Sequence, residues 1–177
     1  MSLEQLVILA AEGKEQAQKQ LFLKTSSQLK AVALRYVRDV STADDVLQES
    51  YIRIFNQLTN FEYINDESTI GWMRKITARE AIRIIKKDQR WLDNNKSNFT
   101  PEIQNSNPMM MDDMYQMLMR LPDNQRVVFN LVAIEGYSHK EIASELGIEK
   151  SSSRSLLTRA RKNLQNILTK KMSYEKV

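Results

Sequence analysis

Cysteine is absent from this sequence, and histidine occurs once, at His139. The chain therefore forms no disulfide and has no cysteine nucleophile, and one histidine argues against a zinc site. A chain without cysteine suits a reducing compartment, so we expect a cytoplasmic protein.

Glycine and proline are also scarce, with 4 and 3 residues in a chain of 177. This scarcity favours long helices over β structure. Hydrophobic residues make up 42% of the chain, enough to bury one medium core or two small ones. No apolar run reaches the length of a membrane span, and residues 1–9 lack the basic start and apolar core of a signal peptide. We therefore expect no membrane insertion.

Positive charge is concentrated in two segments. Residues 74–90 and residues 149–172 each carry seven lysines and arginines, while the formal charge of the whole chain is only +4. Two separated basic segments on an otherwise acidic chain indicate two contacts with nucleic acid. Two solvated helix faces would be the simpler explanation.

The stretch from Ser138 to Arg161 predicts a helix, a tight turn and a second helix. Ser138 and Glu141 have the spacing of a capping box, and Gly147 suits the left-handed position that ends a helix. The second helix turns Leu156, Leu157, Ala160 and Leu164 inward at helical spacing. Its opposite face carries hydroxyls and cations that suit a DNA major groove: Ser151, Ser152, Arg154, Ser155, Thr158, Arg159 and Lys162. A helical hairpin with a solvated basic face is the alternative.

An amphipathic helix over residues 43–55, capped by Ser41 or Thr42, is predicted earlier in the chain, with Asp44 favoured in its first turn. One face is apolar, and the other carries Asp45, Gln48, Glu49 and Arg53. We interpret this polar face as a protein-docking surface. A pair of catalytic carboxylates is the alternative, but no nucleophile or cofactor motif accompanies it.

Residues 59–71 are predicted to form a loop with aromatic residues, and Trp72 to open a basic helix. Such a loop beside a basic helix suits a single strand, because charge neutralises the backbone and an unstacked base finds a platform. The candidates are Phe61, Asn65, Ser68, Arg79, Arg83, Lys86 and Lys87. An exposed interhelical loop is the alternative, and both tryptophans, Trp72 and Trp91, are expected to pack.

The remaining segments complete an all-α architecture of two small helical domains joined by a flexible linker. Helices are predicted over residues 3–21, with Gly13 as an interruption, and over residues 21–38. Residues 93–111 are rich in Asn, Ser and Pro and lack periodicity. A helix over residues 112–121 and another restarting at Pro122 and running to Glu135 follow. The predicted domains are 1–95 and 112–177, with 96–111 as the linker.

Taken in order, the motifs resemble the extracytoplasmic-function (ECF) group of bacterial RNA polymerase sigma factors. The resemblance rests on Asp44-Asp45-Val46-Leu47-Gln48-Glu49, Trp72-Met73-Arg74-Lys75-Ile76, Leu121-Pro122-Asp123-Asn124-Gln125-Arg126, Glu141-Ile142-Ala143 and Arg159-Ala160-Arg161-Lys162. It implies that residues 1–95 are sigma domain two and residues 112–177 are sigma domain four, the helix-turn-helix.

By that resemblance, the helix at 43–55 docks on core RNA polymerase. The segment 61–87 reads and melts the minus-ten promoter element, and the helix at 151–162 reads the minus-thirty-five element as duplex. An anti-sigma partner is implied in the same way. Two departures bear on promoter sequence: Arg79 stands where the family usually has asparagine, and Ser153 stands where an apolar residue is usual.

The predicted function is therefore recruitment of polymerase to promoter DNA, without catalysis or a cofactor. A helix-turn-helix regulator that never binds core polymerase is the first alternative, but it leaves 43–55 and 61–87 without a role. A nucleic-acid-processing enzyme is the second, but the sequence offers it no metal or nucleophile constellation.

Overall fold

The computed structural model describes residues 1–87 and 113–174, and the described part of the chain is helical without strands. The helices are α1 (Leu3–Ala11), α2 (Glu15–Tyr36), α3 (Val40–Leu58), α4 (Asp66–Lys87), α5 (Asp113–Met119), α6 (Asp123–Phe129), a π-helix (Asn130–Ile134), α7 (His139–Leu146) and α8 (Lys150–Tyr174). The all-α prediction is confirmed. The chain divides into two compact units, Met1–Ile84 and Ile85–Val177. The predicted linker and Trp91 lie outside the described residues.

The first unit is built by α1, α2 and α3, with α4 contributing to the same core. Gly13 interrupts the first helix as predicted, and its φ of +79° is easily adopted only by glycine. The chain reverses there, so that α1 packs on α2. The core contains Leu6, Leu21, Leu29, Leu47, Tyr51, Ile54, Met73 and Ile76.

The predicted start and cap of α3 are wrong. The helix begins at Val40, and the carboxylate of Asp39 caps it by accepting hydrogen bonds of 2.7 Å from the backbone N–H and the hydroxyl of Thr42. Asp44 therefore lies in the second turn, away from the helix dipole, and pairs with Lys30 at 2.6 Å instead. A carboxylate is a stronger acceptor than the predicted hydroxyl caps, and it satisfies both donors of Thr42.

The predicted loop at 59–71 is also too long, because α4 begins at Asp66, six residues before Trp72. Asn65 caps α4, its side-chain oxygen accepting from the backbone N–H of Ser68 at 2.7 Å. Asp66 and Glu67 then occupy the first turn, where the helix dipole favours negative charge. Gly71, the last residue of the predicted loop, lies within the helix and has no positive φ.

The second unit differs from the prediction at two points. Pro122 stands just before α6, one position earlier than predicted, and the expected helix to Glu135 changes at Asn130 into a π-helix. There the backbone N–H of Glu135 donates to the carbonyl of Asn130, five residues back, at 3.0 Å. A π-turn contains more residues than an α-turn, because its hydrogen bonds join residues five apart. The helix therefore accommodates an extra residue in this segment.

The predicted helix-turn-helix is confirmed as a fold. Ser138 and Glu141 form the capping box at the start of α7, with bonds of 3.3 and 2.8 Å. Gly147 ends α7 in the left-handed conformation, with φ +67° and ψ +38°. The buried side chains of Leu156, Leu157 and Ala160 then hold α8 against the unit. None of the helices in the described ranges is long and apolar enough to span a bilayer.

Candidate nucleic-acid and protein interfaces

The polar face of α3 is exposed as the sequence predicts. Its four candidate residues all face solvent, while the opposite face of the helix is buried: Ala43, Val46, Leu47, Ser50, Tyr51, Ile54 and Leu58. Ile52 lies on the polar face too, 55% exposed, one turn after Gln48 and Glu49. Sequence reasoning missed Ile52, although an apolar residue among polar neighbours is the composition expected of a protein-docking surface.

A buried carboxylate lies beneath this face. Glu80 of α4 is 3% exposed, and its two oxygens pair with different arginines. One oxygen pairs with Nε of Arg53 on α3, and the other accepts from Nε of Arg83 at 2.8 Å. Nη2 of Arg83 also lies 3.4 Å from Glu49 on α3. Arg53 and Arg83 belong to separate predicted sites, but the structure joins them through Glu80.

The loop before α4 is tied to the core by an aromatic stack. The rings of Phe61 and Trp72 lie 4.2 Å apart between centroids and 25° from parallel, and both residues pack against the core of the first unit. The predicted packing of Trp72 is confirmed. Phe61 is half-buried, so one face of its ring is already covered.

The exposed part of this loop is short. Glu62, Ile64 and Asn65 of the loop and Ser68 of α4 are exposed, and Ile64, at 73%, is the most exposed of the large apolar side chains described. The hydroxyl of Tyr63 donates to the Asp66 carboxylate at 2.5 Å, and this bond raises the pKa of Tyr63 to about 12. Asn65, a predicted DNA contact, uses its side-chain oxygen as the helix cap.

The predicted basic candidates on α4 lie at the surface. Arg79, Lys86 and Lys87 are exposed, and Arg83 is half-buried. Met73, Ile76 and Ala81 on the opposite side of α4 are buried, whereas Ile84 and Ile85 are only half-buried. Thr77 is buried as well. Its hydroxyl donates to the carbonyl of Met73 at 3.0 Å, so this buried polar group has a hydrogen-bond partner.

The second unit exposes all seven candidate residues of α8 on one face: Ser151, Ser152, Arg154, Ser155, Thr158, Arg159 and Lys162. The hydroxyl of Thr158 donates to the carbonyl of Arg154 at 3.0 Å, which leaves its oxygen available as an acceptor. Such a face, with short hydroxyls between two arginines and a lysine, fits the hydrogen-bonding edges of a duplex groove.

A buried polar bond joins the two helices of the helix-turn-helix. Ser153 is fully buried, and its hydroxyl lies 2.9 Å from Nδ1 of His139 at the start of α7. Leu156 and Leu157, expected to take over the packing of the apolar residue usual at position 153, are indeed buried. Ser153 itself adds a direct hydrogen-bonded link between α7 and α8.

We expect Ser153→Ala to destabilise the second unit by about 1–3 kcal/mol, because it leaves His139 without this partner at a partly buried position. The exposed Ser155→Ala is the matched control and should leave unfolding unchanged. Amide hydrogen exchange in α7 and α8 measures the difference. Equal exchange rates in the two variants would contradict a stabilising role for the bond.

The motif at 121–126 is structural. Arg126 is 1% exposed, pairs with Asp123 at 2.8 Å, and its Nη1 lies 3.4 Å from the carbonyl of Leu121. Gln125 accepts a 2.8 Å hydrogen bond from Asn163 of α8. These residues therefore hold the start of α6 and the middle of α8 in place.

Comparison with known proteins accounts for both units. The family model for Sigma-70 region 2 matches residues 21–91, and the model for Sigma-70 region 4 matches residues 111–164. The RNA polymerase sigma-H factor of Pseudomonas aeruginosa is 25% identical over 93% of each chain. The ECF RNA polymerase sigma factor SigE of Mycolicibacterium smegmatis is 28% identical over 80% of this chain and 58% of that protein. This chain belongs to the ECF group of RNA polymerase sigma factors.

The fold of this sigma factor also matches a solved structure. That structure is the sigma factor RpoE of Bartonella quintana in complex with the anti-sigma factor NepR, with a TM-score of 0.52, 22% identity and coverage of 85% of this chain and 96% of that one. In this sigma factor α3 and the described part of α4 fall within the match to region 2, and the helix-turn-helix falls within the match to region 4. A regulator confined to a helix-turn-helix would not explain the match to region 2.

Proposed function

We propose that this sigma factor docks on core RNA polymerase through the exposed face of α3, defined by Asp45, Gln48, Glu49, Ile52 and Arg53. The observation that carries this proposal is the pairing of an exposed polar face with a fully buried opposite face on one helix. The buried face fixes the orientation of the helix, so the exposed side chains meet a partner without reorganisation, which lowers the cost of binding.

The basic face of α8 is proposed to read the minus-thirty-five element as duplex. Arg154 and Arg159 are the candidates for base contacts, since arginine pairs bidentately with guanine. Lys162 is the candidate for a phosphate contact, which adds affinity without sequence preference.

We expect Arg154→Ala and Arg159→Ala to cost about 1–3 kcal/mol each on the preferred duplex and to relax specificity at one base pair each. Lys162→Ala should instead weaken binding to all sequences alike and flatten the salt dependence. Competition binding with single-base-pair variants of the minus-thirty-five duplex separates the two effects. If both arginine variants weaken every duplex equally, α8 positions the protein without reading bases.

The loop and α4 are proposed to capture an unpaired base of the minus-ten element. Extruding a base costs a few kcal/mol of unstacking, which a pocket and a positive surface must offset. Residues 61–69 are the proposed pocket, with Asn65 and Ser68 as hydrogen-bonding groups, beside Arg79, Arg83, Lys86 and Lys87.

We propose that the protein acts by recruiting RNA polymerase to promoter DNA, without catalysis. We also propose that it acts in the cytoplasm. We extend the proposal to an anti-sigma partner, because the solved sigma factor of similar fold was captured with one. Such a partner would compete with polymerase or with promoter DNA for the surfaces named above.

Run-off transcription tests the proposal as a whole. Purified core polymerase should produce discrete transcripts from promoter-containing genomic fragments only when this protein is added. Transcription that is identical with and without it would exclude a role in initiation.

A further inference from the structure

Glu80 occupies a position that an acidic side chain rarely takes. Burying a carboxylate is costly unless cations and hydrogen bonds compensate for the lost water. Here each carboxylate oxygen has its own arginine: Arg53 approaches from α3, and Arg83 from the next turn of α4. Removing the negative charge would leave two neighbouring guanidinium groups without their shared anion.

The network extends from Glu80 to the surface. Nη2 of Arg83 lies 3.4 Å from Glu49, so the order of charges is Arg53, Glu80, Arg83 and Glu49. The side chains of Arg53, Arg83 and Glu49 are 40–48% exposed, whereas that of Glu80 is 5% exposed. The outer members are accessible to partners, and the inner carboxylate is not.

The members of this network belong to two proposed surfaces. Glu49 and Arg53 lie on the polymerase-docking face, and Arg83 belongs to the DNA-contacting face. We propose that Glu80 is a positioning residue that couples the two faces, so that docking on polymerase releases Arg83 for a promoter phosphate. This inference rests on the proposed function.

Competition for one edge of Arg83 supplies the coupling. Glu49 and a DNA phosphate are both anions that pair with guanidinium, so Nη2 of Arg83 serves one of them at a time. When polymerase engages Glu49, that edge becomes free, while Glu80 keeps Nε in place. Linkage makes the effect reciprocal: DNA on Arg83 frees Glu49 for polymerase.

Glu80→Gln tests the positioning role in the full-length protein. The side chain keeps its size, but its amide group now presents a donor to one of two arginines, which can only donate. We expect about tenfold weaker binding to core polymerase and about tenfold weaker binding of the holoenzyme to a promoter with a pre-opened minus-ten bubble. Glu12→Gln, the same change at an exposed site after α1, should alter neither.

A double-mutant cycle separates positioning from a general loss of structure. In an Arg83→Ala background, Glu80→Gln should no longer affect bubble binding.

The coupling between Glu49 and Arg83 is measured without polymerase, on a single-stranded minus-ten oligonucleotide. Glu49→Gln should strengthen binding several-fold, Asp45→Asn should do so less, and the difference should vanish in Arg83→Ala.

The outcomes are distinguishable. If the wild-type protein fails to bind polymerase at all, the proposed function is wrong. If it binds and opens promoters, but Glu80→Gln matches Glu12→Gln or its effect adds to that of Arg83→Ala, the coupling is wrong. If Glu80→Gln loses its helical circular dichroism, the cycle of Glu49→Gln and Arg83→Ala decides, since both residues lie at the surface.

Discussion

Reversing the charges of Asp45 and Glu49 together, as Asp45→Lys and Glu49→Lys, should abolish co-purification with core polymerase. Both carboxylates are exposed on the polar face of α3, and the buried face opposite them is unchanged by the substitutions. Charge reversal replaces attraction by repulsion at each contact, and loss of one partner of an interfacial charge pair already costs about 2–5 kcal/mol. Size-exclusion chromatography of a mixture with core polymerase measures the loss.

The matched control for this double variant is Glu12→Lys with Glu15→Lys. It changes net charge by the same amount at two exposed positions near the turn between α1 and α2. We expect this control to co-purify with polymerase, and both variants to keep wild-type helicity by circular dichroism. Retained co-purification of the α3 variant would remove this face from the docking surface.

Promoter opening should fail when residues 62–64 are replaced by Gly-Ser-Gly and Ser68 is replaced by alanine. This variant removes the exposed side chains of Glu62, Ile64 and Ser68 from the proposed pocket. It keeps Phe61, which stacks on Trp72, and Asn65, which caps α4. The holoenzyme should still bind promoter duplex through α8. Without the contacts of the pocket, it should not offset the few kcal/mol that unstacking a base costs. Thymines of the minus-ten element should therefore stay unreactive to permanganate.

A promoter with a pre-opened bubble provides the control for this variant. Transcription from the bubble template should recover, because the strands no longer need to be separated. If the variant opens the closed promoter normally, residues 62–64 and Ser68 do not capture the base, and Asn65 or the helix face with Arg79 becomes the candidate. If the bubble template fails as well, the lost function lies after opening.

Local signals carried the most reliable predictions from sequence. The helix-turn-helix was predictable because a capping box and a left-handed glycine act within a few residues of the chain. The exposed face of α3 followed from helical periodicity. In both cases the information lies within one helix and its ends.

Competing caps explain the errors in helix boundaries. Asp39 and Asn65 each start a helix earlier than the periodic apolar residues suggest, and polar first turns hide those starts. Gly71 fell within the predicted loop, but it lies inside α4. The intrinsic helix propensity of a single residue such as glycine is a weak signal, and tertiary contacts override it.

Contacts between distant residues were beyond the sequence. Glu49 and Arg83 are 34 positions apart, and the charge pattern does not reveal that Glu80 lies beneath both of them. The same holds for Ser153, whose hydroxyl finds His139 14 positions away. A single sequence shows which residues are charged or polar, but their partners depend on how the helices pack.

The π-helix at Asn130–Ile134 affects how this domain tolerates changes in length. An extra residue in an α-helix turns everything beyond it by about 100°, which would move the buried side of α6 out of phase with α8. A π-turn takes up the extra residue locally, and Gly136, with φ +74°, ends the segment directly afterwards. The orientation of α6 at Arg126 and that of α7 at Ser138 are therefore set separately, on either side of the π-turn and Gly136.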